Sequence, residues 1–225
     1  MKTDDLIAGL AGTLTPIQRF NPWTRASVWM AAAAVYLAIV TAMVVVGLSH
    51  SGASSDPLYV VQQLAALAAG ITGAVAAFLS VVPGRSRRVI AWPLGAVLVW
   101  LLAVLWGCVG DLQSSGTLGF ASQTDWPCVI SISAGGVLLW AVMLSMLRRG
   151  APVTPATTAM LGGLAALGVA NVEACLTRPH AFSGIVLLWH GGTLLVMTAI
   201  FTSTGGRLLR WPSSALRATR RKSHR

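Results

Sequence analysis

The sequence predicts an all-α polytopic membrane protein, a six-transmembrane-helix bundle with both termini on the cytoplasmic side. Three observations carry this reading. Six apolar stretches, at about 26–48, 58–82, 89–109, 128–147, 156–174 and 182–204, are each long enough to cross a hydrocarbon core of ~30 Å as a helix. Their interiors read as free of Asp, Glu, Lys and Arg. With 55% hydrophobic and 10% charged residues and a mean hydropathy of +0.73, the 225-residue chain lies outside the range of soluble domains. Fifteen of the sixteen Lys and Arg residues fall on one side of the stretches, and Arg178 alone falls on the other. Short loops rich in Lys and Arg stay in the cytoplasm, so connections one, three and five face outward.

Residues 1–25 form a cytoplasmic segment ahead of the membrane. Thr3 is placed to cap a helix whose first turn holds Asp4 and Asp5, where the positive end of the helix dipole favours them. Leu6, Ile7, Leu10 and Leu14 then share one face, within an arc of about 100°. Gly9 and Gly12 each cost about 1 kcal/mol relative to Ala, and so short a helix is marginal alone in water, so it is built to order on contact. Interfacial membrane helices carry Lys and Arg on the polar face. This one offers Asp4 and Asp5, which favours a groove on a cytoplasmic protein. Burying four such side chains contributes roughly 1.5–3 kcal/mol each before the costs of association. The competing reading is a leader that merely covers the first spanning helix.

The membrane domain occupies residues 26–204. Trp23, Trp92 and Trp211 mark its inner boundary and Trp106 and Trp126 its outer one, while Trp29, Trp100, Trp140 and Trp189 lie deeper as packing residues. The second stretch carries Ala66, Gly70 and Ala74 in one four-residue series and Ala69, Gly73 and Ala77 in another; the fifth carries Gly162, Ala166 and Ala170. Small residues at this spacing let backbones approach closely in lipid, which predicts a packing seam. The inner connections are marked by Arg85, Arg87 and Arg88 and by Arg148 and Arg149, and residues 205–225 form a basic cytoplasmic tail. The net charge of +10 is absorbed by orientation and by anionic lipid headgroups, so the bilayer rather than nucleic acid is its partner. No extramembrane domain exists to support soluble catalysis, and no resident cofactor is called for.

All three cysteines sit at or near outer ends of stretches: Cys108 at the end of the third, Cys128 at the start of the fourth and Cys175 at the end of the fifth. The fourth and fifth stretches are joined by a short inner connection, so they should pack as an antiparallel hairpin with Cys128 and Cys175 at similar depth. A disulfide needs Cα atoms ~4.4–6.8 Å apart, which two neighbouring helix ends can supply. A transient heavy-metal ion at the two cysteines is the alternative. Cys128 stands at a helix N-terminus, where the dipole favours a thiolate open to oxidants and soft metals. Glu173 and His180 are candidates to complete a metal site with the pair. Cys108, between Gly107 and Val109, reads as a packing residue, and His190, inside the sixth stretch without an acidic neighbour in sequence, as a neutral hydrogen-bonded group.

Four segments carry a resemblance: Met1-Lys2-Thr3-Asp4-Asp5-Leu6-Ile7, Val82-Pro83-Gly84-Arg85-Ser86-Arg87-Arg88, Arg148-Arg149-Gly150-Ala151-Pro152 and Leu208-Leu209-Arg210-Trp211. On these the chain resembles the NrsF family of proteobacterial membrane anti-sigma factors across residues 1–211. The resemblance implies a non-enzymatic protein of the bacterial inner membrane that holds an ECF-type sigma factor at the cytoplasmic face and releases it under heavy-metal or oxidative stress. It further implies that the periplasmic cysteines of the family correspond to Cys128 and Cys175, and that the N-terminal segment engages the sigma factor. Where the family often continues Leu-Arg-Pro, this chain reads Leu14-Thr15-Pro16 and lacks that basic contact. Two other classes compete: a small-molecule or metal-ion transporter, for which no midplane charge or matched Gly/Pro breaks appear, and a membrane thiol-redox protein, for which there is no Cys-x-x-Cys.

Overall fold

The computed structural model describes residues 3–12, 21–48, 54, 56–82, 84, 87–118, 125–150, 152–178 and 183–209. Among these the secondary structure is all helical. A short helix α1 (Thr3–Gly12) precedes six longer ones: α2 (Pro22–Val45), α3 (Pro57–Leu79), α4 (Ala91–Ser115, entered through a 3-10 turn at Arg87–Ile90), α5 (Trp126–Leu147), α6 (Pro155–Thr177) and α7 (Ser183–Leu208). Each of the six is long and apolar enough to span a membrane.

Local chemistry sets the ends, and several differ from the hydropathy boundaries. Helix α2 starts four residues before the expected Ala26 because Asn21 caps it, its Oδ1 accepting from Trp23 N at 3.1 Å and Thr24 N at 3.4 Å with Pro22 in the first turn. Asp56 caps α3 in the same way, accepting from Leu58 N at 3.0 Å. Helix α4 continues past the expected end at Val109 and stops only where Gly116 takes a left-handed φ of +67°. Asp111, placed in a loop by hydropathy, is therefore helical, and its Oδ2 accepts from Ser183 N at 2.6 Å, where α7 begins. Helix α6 runs on to Thr177, so the interior of this span is not free of charge: Glu173 is a buried helical residue. Helix α1 ends at Gly12, and Leu14 lies outside the described residues.

Helix α6 is the hub. It packs against α3, α5, α7 and α2, and 83% of its most apolar window is buried, against 17% for α2 and 22% for the α4 span. Only small side chains let so many neighbours approach. The small residues expected to form a seam do so between α3 and α6: a Cβ built on Gly168 would lie 2.8 Å from Ala66 O and 2.9 Å from Gly70 N, and one on Gly73 would lie 3.1 Å from Ala165 N. Backbone meets backbone here, as packing in lipid favours. Gly162 instead makes room for side chains of α5, Met143 and Leu147.

Polar links fasten the rest of the bundle. Trp29 is almost fully buried and donates from Nε1 to Leu139 O at 3.2 Å, joining α2 to α5. Ser80 and Thr158 share a hydroxyl hydrogen bond of 2.8 Å between α3 and α6, and Trp140 stacks on Phe201 at 4.5 Å between α5 and α7. Outward-facing apolar residues such as Val35 and Ile39 on α2, Leu98 and Leu102 on α4 and Leu195 on α7 are exposed, the arrangement a lipid solvent stabilises.

Gly168→Ala should therefore destabilise the bundle by about 1–3 kcal/mol, since the facing atoms are backbone and cannot yield. Gly95→Ala, on a face with nothing within 4 Å, should be neutral or slightly stabilising. Equilibrium unfolding in mixed detergent micelles checks both; equal midpoints for the two variants would remove the seam from the account.

Candidate functional site

The cysteine-bearing end of the bundle is built by α5, α6 and α7. Helices α5 and α6 are antiparallel there: Ser131, near the start of α5, donates to both carboxylate oxygens of Glu173, near the end of α6, at 2.7 and 2.9 Å. Cys128 is the third residue of α5 and Cys175 lies two residues beyond Glu173. Both are free thiols and both are buried, Cys128 at 0% and Cys175 at 3% exposure. The helix-terminal position of Cys128 does not leave it open to solvent: its side chain is fully buried, with Sγ near Asp125 and His190 of α7.

The residue that both cysteines approach is His190. Its ring is fully buried, Cys175 Sγ lies 3.8 Å from its Nδ1, and Asn171 Oδ1 lies 2.8 Å from the same nitrogen. Asp125, just before α5, joins Cys128 and His190 in a group whose ligand atoms all lie within 4.8 Å of one another. The neutral, hydrogen-bonded histidine expected from sequence thus has its hydrogen-bond partner, Asn171. It also has an acidic neighbour that sequence order concealed, since Asp125 arrives from a different connection.

A backbone irregularity delivers the ring. Residues Val186–Gly191 of α7 form a π-helical segment rather than α-helix. Such insertions rotate the following side chains and are concentrated at functional sites. No hydropathy pattern signals one; the only cue was an ionisable residue inside an apolar stretch. Trp126 and Trp189, next in sequence to Asp125 and His190, approach with ring centroids 5.5 Å apart. Tyr59 of α3 donates to Cys175 O at 3.3 Å and closes the cluster on that side.

The remaining predicted residues are distributed as follows. Glu173 is engaged by Ser131 and is not a member of the donor group. His180 lies outside the described residues. Cys108 packs in a separate cluster with Trp100, Val104 and Val186. At the opposite end, Arg148 and Arg149 are exposed in a 3-10 turn, Arg88 is exposed, Arg87 lies in the 3-10 turn before α4, and Arg85 lies outside the described residues. Thr3 and Asp5 are exposed on α1, which also contains Asp4, Leu6, Ile7 and Leu10. Arg25, at the start of α2, donates from Nη1 to Met146 O at 3.4 Å and so connects the N-terminal segment to the far end of α5.

A sequence model of the NrsF family, described as negative regulator of sigma F, matches residues 10–211. No curated protein and no solved structure matches.

Asn171→Ala should cost about 1–3 kcal/mol of stability, because it removes the 2.8 Å partner of the buried His190 Nδ1 and leaves that nitrogen the longer 3.8 Å contact with Cys175 Sγ. Unfolding midpoints in micelles test this; an unchanged midpoint would show that the bond contributes nothing.

Proposed function

The chain belongs to the NrsF family of negative regulators of a sigma factor, and from that premise we propose that it is a membrane anti-sigma factor for an ECF-type sigma factor. It holds the sigma factor at the cytoplasmic face of the bacterial inner membrane and releases it when Cys128 and Cys175 meet a heavy metal or an oxidant on the periplasmic side. The observation that carries the reading is the family match, which spans all six membrane-length helices.

In this reading the N-terminal segment supplies the docking surface through Thr3, Asp4, Asp5, Leu6, Ile7, Leu10 and Leu14. The arginines Arg85, Arg87, Arg88, Arg148 and Arg149 anchor the inner connections to anionic lipid. Coupling between the ends runs along α5. Cys128 and Met146 stand on one continuous helix, about 27 Å apart along its axis. Met146 O accepts the Arg25 hydrogen bond, and Arg25 follows the docking segment. A change in ligation at Cys128 that shifts or rotates α5 therefore reaches the base of the N-terminal segment through one rigid element. A tenfold loss of sigma affinity requires only about 1.4 kcal/mol, within the usual range of coupling energies.

Deleting residues 3–12 should abolish co-purification of the sigma factor from membranes at unchanged protein level; retained capture would move the docking surface elsewhere. Replacing both Cys128 and Cys175 by Ser should leave repression in place and remove induction by metal, read by a sigma-dependent reporter. A double variant that still responds fully would sink the sensing role. Arg25→Gln should raise uninduced reporter activity, and an unaltered basal level would exclude the α5 route.

A further inference from the structure

We infer that Asp125, Cys128 and His190 form a binding site for a borderline-to-soft divalent cation of the zinc or cadmium class, with Asn171 as the residue that orients the histidine. The three ligand atoms come from the connection before α5, the first turn of α5 and the π segment of α7, and they converge within 4.8 Å of one another. A thiolate, an imidazole and a carboxylate are the donor types that such cations take, in a tetrahedral set with a fourth position for water.

Charge and tautomer both fit. Binding exchanges the Cys128 S–H bond for a metal–sulfur bond, and the thiol proton leaves to water. The thiolate and the Asp125 carboxylate then offset the two positive charges of the ion, so the complex adds no net charge to an apolar environment. With the Asn171 carbonyl oxygen as acceptor in the 2.8 Å contact, the neutral ring carries its proton on Nδ1 and its lone pair on Nε2. A ligating histidine held through its other ring N–H by an amide or carboxylate oxygen is the usual arrangement in metal proteins. Cys175 lies on the Nδ1 edge, 3.8 Å away, and is not a member of the converging group. With Nε2 as the ligating nitrogen, Cys128 belongs to the first shell of the ion, and Cys175, which approaches Nδ1, stands outside it. Asp125 is the partly exposed member and provides the entry, while Cys128 and His190 are fully buried.

The regulatory meaning of this site rests on the sensing function proposed above, whereas its occupancy does not, and the two are tested apart. Full-length protein in lipid nanodiscs is loaded with zinc and measured by zinc-edge X-ray absorption. The expected first shell has one sulfur at about 2.3 Å and nitrogen or oxygen scatterers at about 2.0–2.2 Å. A shell with two sulfurs, or none, overturns the ligand set, and the measurement needs no variant to fold. Titration with cadmium, followed by its thiolate charge-transfer absorption, should lose the band in Cys128→Ser and lose at least about tenfold in affinity in His190→Gln, with about 10–100-fold lost in Asn171→Ala. Cys108→Ser should bind as the unaltered chain does. Undiminished binding by His190→Gln overturns the assignment. If the site binds as expected but the Cys128→Ser, Cys175→Ser double variant is induced normally by cadmium in cells, the sensing reading fails and the site stands. If induction requires Cys128 and Cys175 while the purified chain binds no zinc, the site fails and the sensing reading stands.

Discussion

The close approach of α6 to α3 is the constraint on which the rest of the bundle depends. Lipid tails are as apolar as the helices, so no hydrophobic gain drives the helices together and contact itself must. Gly168, Gly70 and Gly73 provide that contact by letting two backbones meet without intervening side chains. With its middle pinned, α6 becomes the post around which α2, α5 and α7 are arranged, and its 83% burial follows from having neighbours on nearly every side. The polar residues on it, Thr158 toward one end and Asn171 and Glu173 toward the other, are held at fixed depths as a result.

That fixity is what makes a buried polar centre tolerable. Ionisable and polar groups are costly within a membrane-spanning bundle unless each finds a partner. Ser131 meets Glu173, Asn171 meets His190, and Asp111 meets the backbone at the start of α7. The last contact matters beyond capping. It ties α4 to the beginning of α7, and Gly107, one turn earlier, leaves room for the Ser183 and Leu58 side chains. The π segment lies immediately after this fastened start, so the extra residue is accommodated between a tied end and the packed remainder of α7. The His190 ring is turned toward α5 and α6 as a consequence.

The six spans and their small-residue seams were legible because hydropathy over some twenty residues and a four-residue spacing are local signals. The ends were less so. Asn21, Asp56 and Gly116 decide them through single hydrogen bonds or one left-handed residue, which averaging over a window erases. Glu173 was read as a candidate metal ligand, yet it is a buried helical residue that Ser131 satisfies from another helix. Cys128 and Cys175 were found by their positions at stretch ends. Their burial, and the presence of His190 between them, were not available from position alone.

The amino-acid sequence by itself determined that this chain is a bundle of membrane-length helices, which residues are small enough to form its seam, and which cysteines stand together at one end. These follow from composition, spacing and the alternation of charged connections. Only the tertiary structure decided that Asp125, Cys128 and His190 converge while Cys175 and Asn171 approach Nδ1 of the same ring. The reason is physical. Those residues come from three helices and a connection far apart in the chain, and their meeting depends on how closely α6 admits its neighbours and on one irregular turn in α7.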